Sequence, residues 1–246
     1  MPKVKANREV CNVHIVDYAT GKPILYFEYA NTTGINMTSD SVYAMAHGAK
    51  KIAFNNPLEN QITIEAQCVP FKLYSLYSDG IIDTSASYYV KKTVKGEAGK
   101  LTLADEKGTI VPGSVFVYKA GEYGEKNITG TFADGVFTPT TTGDITVDGS
   151  YDVGYMLNRT SGVQKIAMNN KRVPKDVAIY MDTVNKDEDG NLVPFRINVL
   201  KATIQRNFEM SFSSEGDPQS ITLTFDALEK DRDNFMEFVE ITEDGE

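Results

Sequence analysis

Alternation of apolar and polar residues over positions 200–228 constrains the fold more than any other feature of the sequence. Over 200–212 the even positions are mostly apolar and the odd positions are all hydrophilic. After a turn-like run at 214–218, alternation resumes, with apolar residues at Ile221, Leu223, Phe225 and Ala227. Successive side chains of a strand point to opposite faces. The pattern therefore predicts a long hairpin with one apolar and one polar face.

The predicted hairpin is too long to lie straight inside a compact domain. Residues 193–212 would span about 65 Å as one strand, whereas a compact domain of 246 residues has a radius of gyration of about 18 Å. The hairpin must therefore bend, change sheets or project. Before Leu200 the apolar positions are odd, at Phe195, Ile197 and Val199, and after it they are even. This change of phase predicts a bend or bulge near Val199 and Leu200.

Composition limits the class of protein. The apolar content of 41% is ordinary for a globular chain, and the formal charge is −9. An acidic chain is poorly suited to gripping nucleic acid, which requires Lys and Arg on the phosphates. No signal-peptide pattern and no apolar run of membrane-spanning length is present, so we expect no membrane anchoring.

The rest of the chain reads mainly as short strands. Residues 61–67 alternate cleanly, and a helix is predicted from Pro70, ending at Asp79-Gly80. Residues 31–60 lack a clear pattern and are predicted to form a long loop. The acidic stretch after Asp226 is predicted to be a solvated tail.

Residues 95–149 are expected to form a separate module. Short β-type runs alternate there with turn residues such as Pro112-Gly113 and Asp134-Gly135, a pattern typical of a small sandwich. The predicted fold is all-β with one short helix. Residues 1–94 and 150–246 form a sandwich- or barrel-like core, and 95–149 form an inserted immunoglobulin-like β module.

Motifs for catalysis, cofactors or metals are incomplete. Residues 185–190 resemble the start of a calcium loop, but its twelfth position is Arg196 instead of Glu. Residues 96–100 lack the first glycine and the Ser or Thr of a phosphate loop. His14 and His47 have no partner at a recognisable spacing. We expect no catalytic, cofactor or metal site; an enzyme such as a β-rich hydrolase remains an alternative, which a cleft of perturbed carboxylates would support.

Closure of copies into a ring is one way to protect the edges of a projecting hairpin. Identical subunits can pair their edges into a shared barrel, with the apolar face on the subunit bodies and the polar face lining a lumen. Residues 61–67 have the same two-faced pattern, and 84–94 are a weaker candidate. The predicted lumen-facing residues are Gln61, Thr63, Glu65, Gln67, Lys201, Thr203, Gln205, Asn207, Glu209, Ser211, Thr222, Thr224 and Asp226.

Three segments together resemble a known family. They are the closing hairpin at 202–208 and 221–228, the strand and helix at 62–77, and the glycine-containing loop before them. This combination resembles the tail tube, or major tail, proteins of tailed bacteriophages and related contractile injection systems. The resemblance covers roughly 1–94 and 150–246 and does not include the module.

The resemblance implies a structural, non-catalytic role without cofactors. Hexameric rings would stack into a tube that conducts DNA, and Tyr43, Met45 and Phe54 in the long loop would contact the next ring. The main partner would be the protein itself, followed by sheath, terminator or baseplate proteins, with DNA only as passing cargo. The expected location is the virion tail, and the host cytoplasm during assembly.

Two other interpretations of the same patterns remain open. The polar hairpin face is also compatible with an ordinary β-sandwich face exposed to solvent. The chain is also compatible with a β-sandwich adhesin or carbohydrate-binding module, for which an exposed aromatic row is required. The candidate residues for such a row are Tyr88, Tyr89, Tyr118 and Tyr123.

Overall fold

A computed structural model describes residues 4–28, 30–105, 107–210, 212–216, 218–230 and 234–241. These residues form antiparallel strands and two short 3₁₀ helices, Phe71–Tyr77 and Pro112–Ser114. The strands are β1 Lys5–Asn7, β2 Asn12–Asp17, β3 Pro23–Phe27, β4 Ala30–Thr38, β5 Ser41–Ala46, β6 Ala49–Asn55, β7 Glu59–Ala66, β8 Ala86–Lys95, β9 Leu101–Thr102, β10 Thr109–Ile110, β11 Phe116–Lys119, β12 Gly130–Ala133, β13 Val136–Pro139, β14 Ser150–Arg159, β15 Val177–Asp187, β16 Leu192–Ile204, β17 Ile221–Ala227 and β18 Met236–Glu240. The expected all-β class with a short helix is confirmed.

The chain divides into two compact units. Unit 1 comprises Met1–Ile81 and Ala167–Glu246, and unit 2 comprises Ile82–Ile166. The expected module 95–149 lies within unit 2, which also contains β8 and β14, paired along their full length of 10 residues. Residues 84–94 therefore do not join the sheet of the polar hairpin, contrary to expectation. The division of the chain into a tube-like core and an inserted module stays a prediction.

Unit 1 is built on one large antiparallel sheet. In its described residues the strand order is β3-β2-β15-β16-β17-β7-β4, with β1 also paired to β15 and β18 to β16. The two halves of the predicted hairpin, β16 and β17, are neighbours, and β7 lies directly beside β17. The sheet therefore places the alternating segments side by side.

The large sheet curls back towards itself. Strands β2 and β4 are five steps apart in the sheet order, a separation of about 24 Å if the sheet were flat. The backbone nitrogen of Cys11, just before β2, nevertheless donates a hydrogen bond to Thr33 Oγ1 in β4 at 3.2 Å. No ladder joins β3 to β4 in the described residues, so the sheet of one chain is strongly curved but does not form a closed barrel.

The concave side of this sheet holds the core of unit 1. Apolar residues from β2, β3, β7, β15, β16 and β17 meet there, and the first 3₁₀ helix packs Leu73, Leu76 and Tyr77 against them. The helix occurs where the sequence predicts one, directly after Pro70, but it is a tight 3₁₀ helix of 7 residues. Leu73, Ser75, Leu76 and Tyr77 of this helix are buried, whereas Phe71 and Lys72 at its start are exposed.

A β-bulge in β16 confirms the predicted change of phase. Ile179 pairs with Val199 but Val177 pairs with Ala202, so the β16 side carries one extra residue across this interval. Buried side chains are odd-numbered before the bulge and even-numbered after it. At the same place β16 changes its partner, from β18 over 195–199 to β17 over 202–204.

Strand β16 ends at Ile204, eight residues before the predicted end of the strand at Phe212. Beyond Gln205, the chain leaves the ladder, and the ring of Phe208 packs against Tyr77 with centroids 4.9 Å apart. Phe208 also contacts Tyr74 of the same helix. Burial of this aromatic side chain on the helix replaces further strand pairing, which the alternation alone had predicted.

Residues 31–60 do not form a loop, contrary to the prediction. They contain most of β4, the hairpin β5–β6 and the start of β7. His47 and Gly48 connect β5 to β6 with φ values of 52° and 77°, as a two-residue type I′ turn requires. The strands escaped prediction because few of their side chains are buried, so the usual apolar alternation is weak.

The acidic C-terminal stretch is also partly a strand. Met236–Glu240 forms β18 and pairs with β16, and Lys5 Nζ binds Glu240 Oε1 at 2.6 Å. Charged side chains are tolerated in β18, which pairs beside β16, because most of its residues are exposed to solvent.

Unit 2 is a small sandwich of two sheets. One sheet has the order β10-β14-β11 with β8 also paired to β14, and the other has the order β12-β13-β9. Leu101 and Phe137 of the second sheet share a core with Val117, Val153 and other residues of the first. The two-layer arrangement suits the expected β module, while an immunoglobulin-like topology stays a prediction.

Candidate functional site

A continuous polar face extends over β16, β17 and β7. Its side chains alternate with the core residues Ile62, Ile64, Leu223 and Phe225, which are all 1% exposed or less. The register places the polar residues in cross-strand rows: Thr203 with Asp226, Asp226 with Gln61, Thr224 with Thr63, and Thr222 with Glu65. The structure thus brings together eight of the predicted residues: Gln61, Thr63, Glu65, Thr203, Gln205, Thr222, Thr224 and Asp226.

The polar face is held by hydrogen bonds within the sheet. Gln205 N donates to Thr224 O at 2.8 Å, and Gln205 Nε2 donates to Asp226 Oδ1 at 2.7 Å. Apart from Thr222, which is exposed, the eight side chains are half-buried by their neighbours. The face is therefore ordered and hydrophilic.

Strand β4 extends this face by residues that the sequence analysis missed. Thr32, Gly34 and Asn36 lie opposite Glu65, Thr63 and Gln61 in the register. A weak signal existed, because Ile35 and Met37 alternate with these small and polar residues. The absence of large apolar residues over the rest of β4 obscured it.

Two predicted residues lie at the margins of the face. Lys201 sits at the bulge, where its Nζ is 3.2 Å from Asp176 Oδ2 and 5.3 Å from the centroid of the Tyr18 ring. Gln67 follows the end of β7 and donates from Nε2 to Pro218 O at 3.2 Å. Lys201, at the margin of the polar face, is therefore paired with a carboxylate.

Two further predicted residues, Asn207 and Glu209, are not on a strand. Asn207 and Glu209 are exposed in the segment after β16 and line an open cavity beside Phe208. Their prediction as strand residues is wrong for the reason given for Phe208. Ser211 lies outside the described residues.

The hairpin β5–β6 exposes large apolar side chains on both faces. Val42, Ile52 and Phe54 are 60%, 57% and 59% exposed, and the register puts them on one face. Tyr43 and Met45 lie on the other, where Lys50 Nζ is 3.8 Å from the Tyr43 ring centroid. A two-stranded hairpin is marginal by itself, and exposed apolar surface of this kind usually marks an interaction site.

A lysine-rimmed cavity of about 320 Å³ lies elsewhere on unit 1. Lys22, Lys72 and Lys175 line it together with an apolar floor that includes Leu76 and Val177. The Asp17 carboxylate accepts hydrogen bonds from both Oγ1 and N of Thr20 at 2.8 Å. These bonds, that of the hydroxyl first, lower the pKa of Asp17.

Two of the candidate tyrosines of unit 2, Tyr89 and Tyr123, pack together above Gly154. The hydroxyls of Tyr89 and Tyr123 are 2.7 Å apart, and Lys91 Nζ is 4.4 Å from the Tyr123 ring centroid. A Cβ atom at Gly154 would collide with both hydroxyls. Desolvation and the bond to Tyr123 raise the pKa of Tyr89 to about 12. Filling the space above a strand glycine accounts for this cluster.

The residues that the sequence analysis considered for catalysis or metal binding make structural contacts instead. His14 stacks on Tyr26 with centroids 4.4 Å apart, and its nearby carboxylate, Asp182, binds Arg196 at 2.9 Å. Residues 185–187 end β15 and residues 188–190 form the turn to β16, where Asn191 N donates to Asp187 Oδ1 at 2.7 Å. Within the described ranges, no three His, Cys, Asp or Glu residues are grouped so that they could hold a metal ion.

Comparison with known families decides the identity. The sequence model of the YomU/Tube protein family matches residues 7–241. The chain belongs to this family. The match confirms the resemblance to phage tail tube proteins and identifies a YomU/Tube chain as a structural phage tube protein. No curated protein matches the chain closely enough to count as a relative. Among the described residues, no helix is long and apolar enough to cross a membrane.

Proposed function

We propose that this chain is the subunit of a phage tail tube, in which hexameric rings stack and DNA passes through a common lumen. The polar face of β16, β17, β7 and β4 carries this proposal. From the bulge in β16 onward, the four adjacent strands present only hydrophilic or small side chains on one side, while their other side packs against the core. A lumen wall has the same requirement, since one face must be wet and the other must be held by the subunit body.

Free sheet edges support ring formation. Strands β3 and β4 end the sheet order in the described residues, and an edge strand invites pairing with another chain. If each copy contributes four strands, six copies make a barrel of about 24 strands and about 48 Å between backbones. Three copies would give about half that diameter, which side chains would largely fill. An open channel therefore favours the larger ring.

The charge of the polar face suits passage of DNA. Glu65 and Asp226 are its acids, and Lys201 at its margin is paired with Asp176. Arg206 lines a cavity together with Thr222 and Thr224, and its Nη2 donates to Asn169 O at 3.1 Å. A surface with two acids and so few cations releases few counterions from DNA, so it binds the phosphate backbone only weakly. DNA slides past such a wall as cargo, in agreement with a structural, non-enzymatic role.

The hairpin β5–β6 supplies a contact between rings in this proposal. Val42, Ile52 and Phe54 join Tyr43 and Met45 as side chains that gain from burial against a neighbouring copy. Sheath, terminator or baseplate proteins are the further partners of the assembled tube. The proposed location is the virion tail, after assembly in the host cytoplasm.

Cysteine labelling of assembled tubes tests the lumen directly. Native Cys11 and Cys68 are first replaced by Ser, because both are free and Cys68 is exposed. Thr63→Cys and Thr224→Cys are then compared with Ser87→Cys, an exposed position of unit 2. In tubes seen by negative-stain microscopy, the first two should react with a small maleimide and resist a bulky polymer-linked one. Equal reaction of Thr63→Cys with both reagents, or failure of the protein to form rings at high concentration, would argue against the proposal.

A further inference from the structure

The lysine-rimmed cavity holds an excess of positive charge in an acidic protein. Lys22, Lys72 and Lys175 face one carboxylate, Asp17, which Thr20 already engages. In the described part of the chain none of these lysines forms an ion pair. The floor includes Leu76 and Val177, which are 6% and 2% exposed. Three free cations above an apolar floor fit an acidic peptide that carries an apolar side chain.

One segment of this sequence has that chemistry. Residues 237–246 contain five acids and no base, and three of the acids, Glu243, Asp244 and Glu246, lie within five positions after the apolar Ile241. Ile241 is 40% exposed. Three acids beside one apolar residue match three lysines around an apolar floor.

The segment cannot fill the cavity of its own chain. Ile241 N donates to Pro194 O, and Pro194 pairs with Val184 of β15. Val177, in the cavity floor, is seven residues further along β15, a distance of about 23 Å. Strand β18 also runs away from the cavity, because it is antiparallel to β16. Two residues of extended chain, the separation of Glu243 from Ile241, span at most about 7 Å, so the three acids cannot reach the three lysines together.

We infer that this cavity binds the acidic residues 243–246 of a second copy of the chain, with Ile241 of that copy on the apolar floor. The inference rests on the proposed function and specifies one of its contacts. Cavity and segment lie at opposite ends of β15 and β16, so the contact is head-to-tail. A head-to-tail contact repeats from copy to copy and extends an assembly along one direction.

The position of the exposed hairpin agrees with such stacking. Thr38 and Glu59, next to the hairpin, pair with each other at one end of β4 and β7. At the same end of the sheet, Gln61 pairs with Asp226 and Asp226 with Thr203. The neighbouring Ala202 pairs with Val177, which pairs with Asp17 at the cavity. The hairpin therefore leaves the sheet at the same end as the cavity. One end of unit 1 carries both the apolar hairpin and the lysines, and the other carries the acidic segment.

Peptide binding tests the cavity without requiring tubes. The probe is a fluorescent peptide with the sequence of residues 239–246, and the receptor carries Glu243→Gln, Asp244→Asn and Glu246→Gln so that its own segment cannot compete. Saturable binding that weakens in about 0.5 M salt is expected. Lys22→Ala, Lys72→Ala and Lys175→Ala together should weaken it at least about tenfold. Alanine at Lys100, Lys119 and Lys126, exposed lysines of unit 2, should leave it unchanged. Absent binding, or equal binding by both triple variants, overturns the inference.

Charge reversal tests the contact in the assembly. The triple change Lys22→Glu, Lys72→Glu and Lys175→Glu should shorten or abolish tubes. The triple change Glu243→Lys, Asp244→Lys and Glu246→Lys should do the same. The chain that carries all six changes should assemble again. Normal tubes from either reversed chain would overturn the inference while leaving the tube function intact. Peptide binding by a protein that forms no tubes would instead support the cavity and contradict the tube function.

Discussion

Val199 and Ala202 both point into the core of unit 1 although three positions separate them along β16. Both are fully buried, and the odd spacing is possible only because the bulge at Leu200 and Lys201 inserts an extra residue against β15. The bulge also marks where β16 changes its partner from β18 to β17. The bulge therefore links the part of β16 that pairs with β18 to the part that pairs with β17.

The bulge makes adjacent residues differ in their importance for stability. Val199→Ala should lower the free energy of unfolding by about 2 kcal/mol, because it leaves a cavity in the core. Leu200→Ala should cost less than about 1 kcal/mol, because Leu200 is only half-buried. Denaturant unfolding of both variants measures the difference. A larger cost for Leu200→Ala would show that β16 is regular and that the even positions form the core from Leu200 onward.

Tyr77 should make unfolding depend on alkaline pH. Burial raises the pKa of Tyr77 to about 12, whereas an unfolded tyrosine titrates near 10. The unfolded state then loses its proton first, so stability is complete below about pH 10 and falls as the pH rises towards 12. Tyr77→Phe should make this fall shallower, but Tyr89 and Tyr155, whose pKa values are also about 12, will keep part of it.

Tyr77→Phe should also change the stability at neutral pH. The Tyr77 hydroxyl donates to Thr222 O at 3.3 Å, so Tyr77→Phe should cost about 1 kcal/mol at pH 7. Tyr88→Phe, at an exposed tyrosine, should leave the stability at pH 7 as it is. Identical alkaline slopes for wild type and Tyr77→Phe would contradict the assigned burial effect.

Asp152 should contribute to stability in the opposite pH range. Thr93 Oγ1 donates to Asp152 Oδ1 at 2.6 Å, and this bond, followed by one from Gly121 N, lowers the pKa of Asp152. A lowered carboxyl pKa contributes stability above the unfolded value of about 3.9, and that stability is lost as the pH falls below it. Thr93→Val should therefore reduce the melting temperature at pH 7 more than at pH 3. Equal reductions at both pH values would remove Asp152 from the explanation.

The hairpin β5–β6 should matter for assembly and not for folding. Val42→Ser, Ile52→Thr and Phe54→Ser replace exposed side chains, so each should change the free energy of unfolding by less than about 0.5 kcal/mol. Sedimentation should nevertheless find shorter assemblies or none. Val147→Ser, at an exposed apolar position of unit 2, is the matched control. Normal tubes from the triple hairpin variant would exclude this surface as the contact between rings.

Positive charge on the polar face should make tubes retain DNA. Thr63→Lys and Thr203→Lys place cations close to Glu65 and Asp226, respectively, without disturbing the buried face of the strands. Duplex DNA should then bind to tubes in a salt-dependent way, because phosphate contacts release counterions. Binding of a short fluorescent duplex to wild-type and variant tubes measures the effect. The same two changes should have no consequence for DNA if the face lies outside the channel.

The local alternation of apolar and polar residues predicted those strands and helices in which one face is buried in the core and the other is exposed to solvent. Strands β7 and β17, the helix after Pro70 and the bulge in β16 all follow from apolar residues at regular spacing. Strand β4 and the hairpin β5–β6 did not emerge, because a strand with little burial has no contrast between its faces. The turn at His47-Gly48 was missed for the same reason.

For this protein the sequence alone determined the all-β class, the two-faced strands and the resemblance to tail tube proteins, because alternation and turn chemistry are local properties. Tertiary structure decided which strands lie side by side, where β16 stops, and that the acidic end of the described chain joins the sheet. It also gathered three lysines distant in sequence around one cavity. These are contacts between remote segments, and their energy depends on partners such as Phe208 with Tyr77, which no local pattern contains.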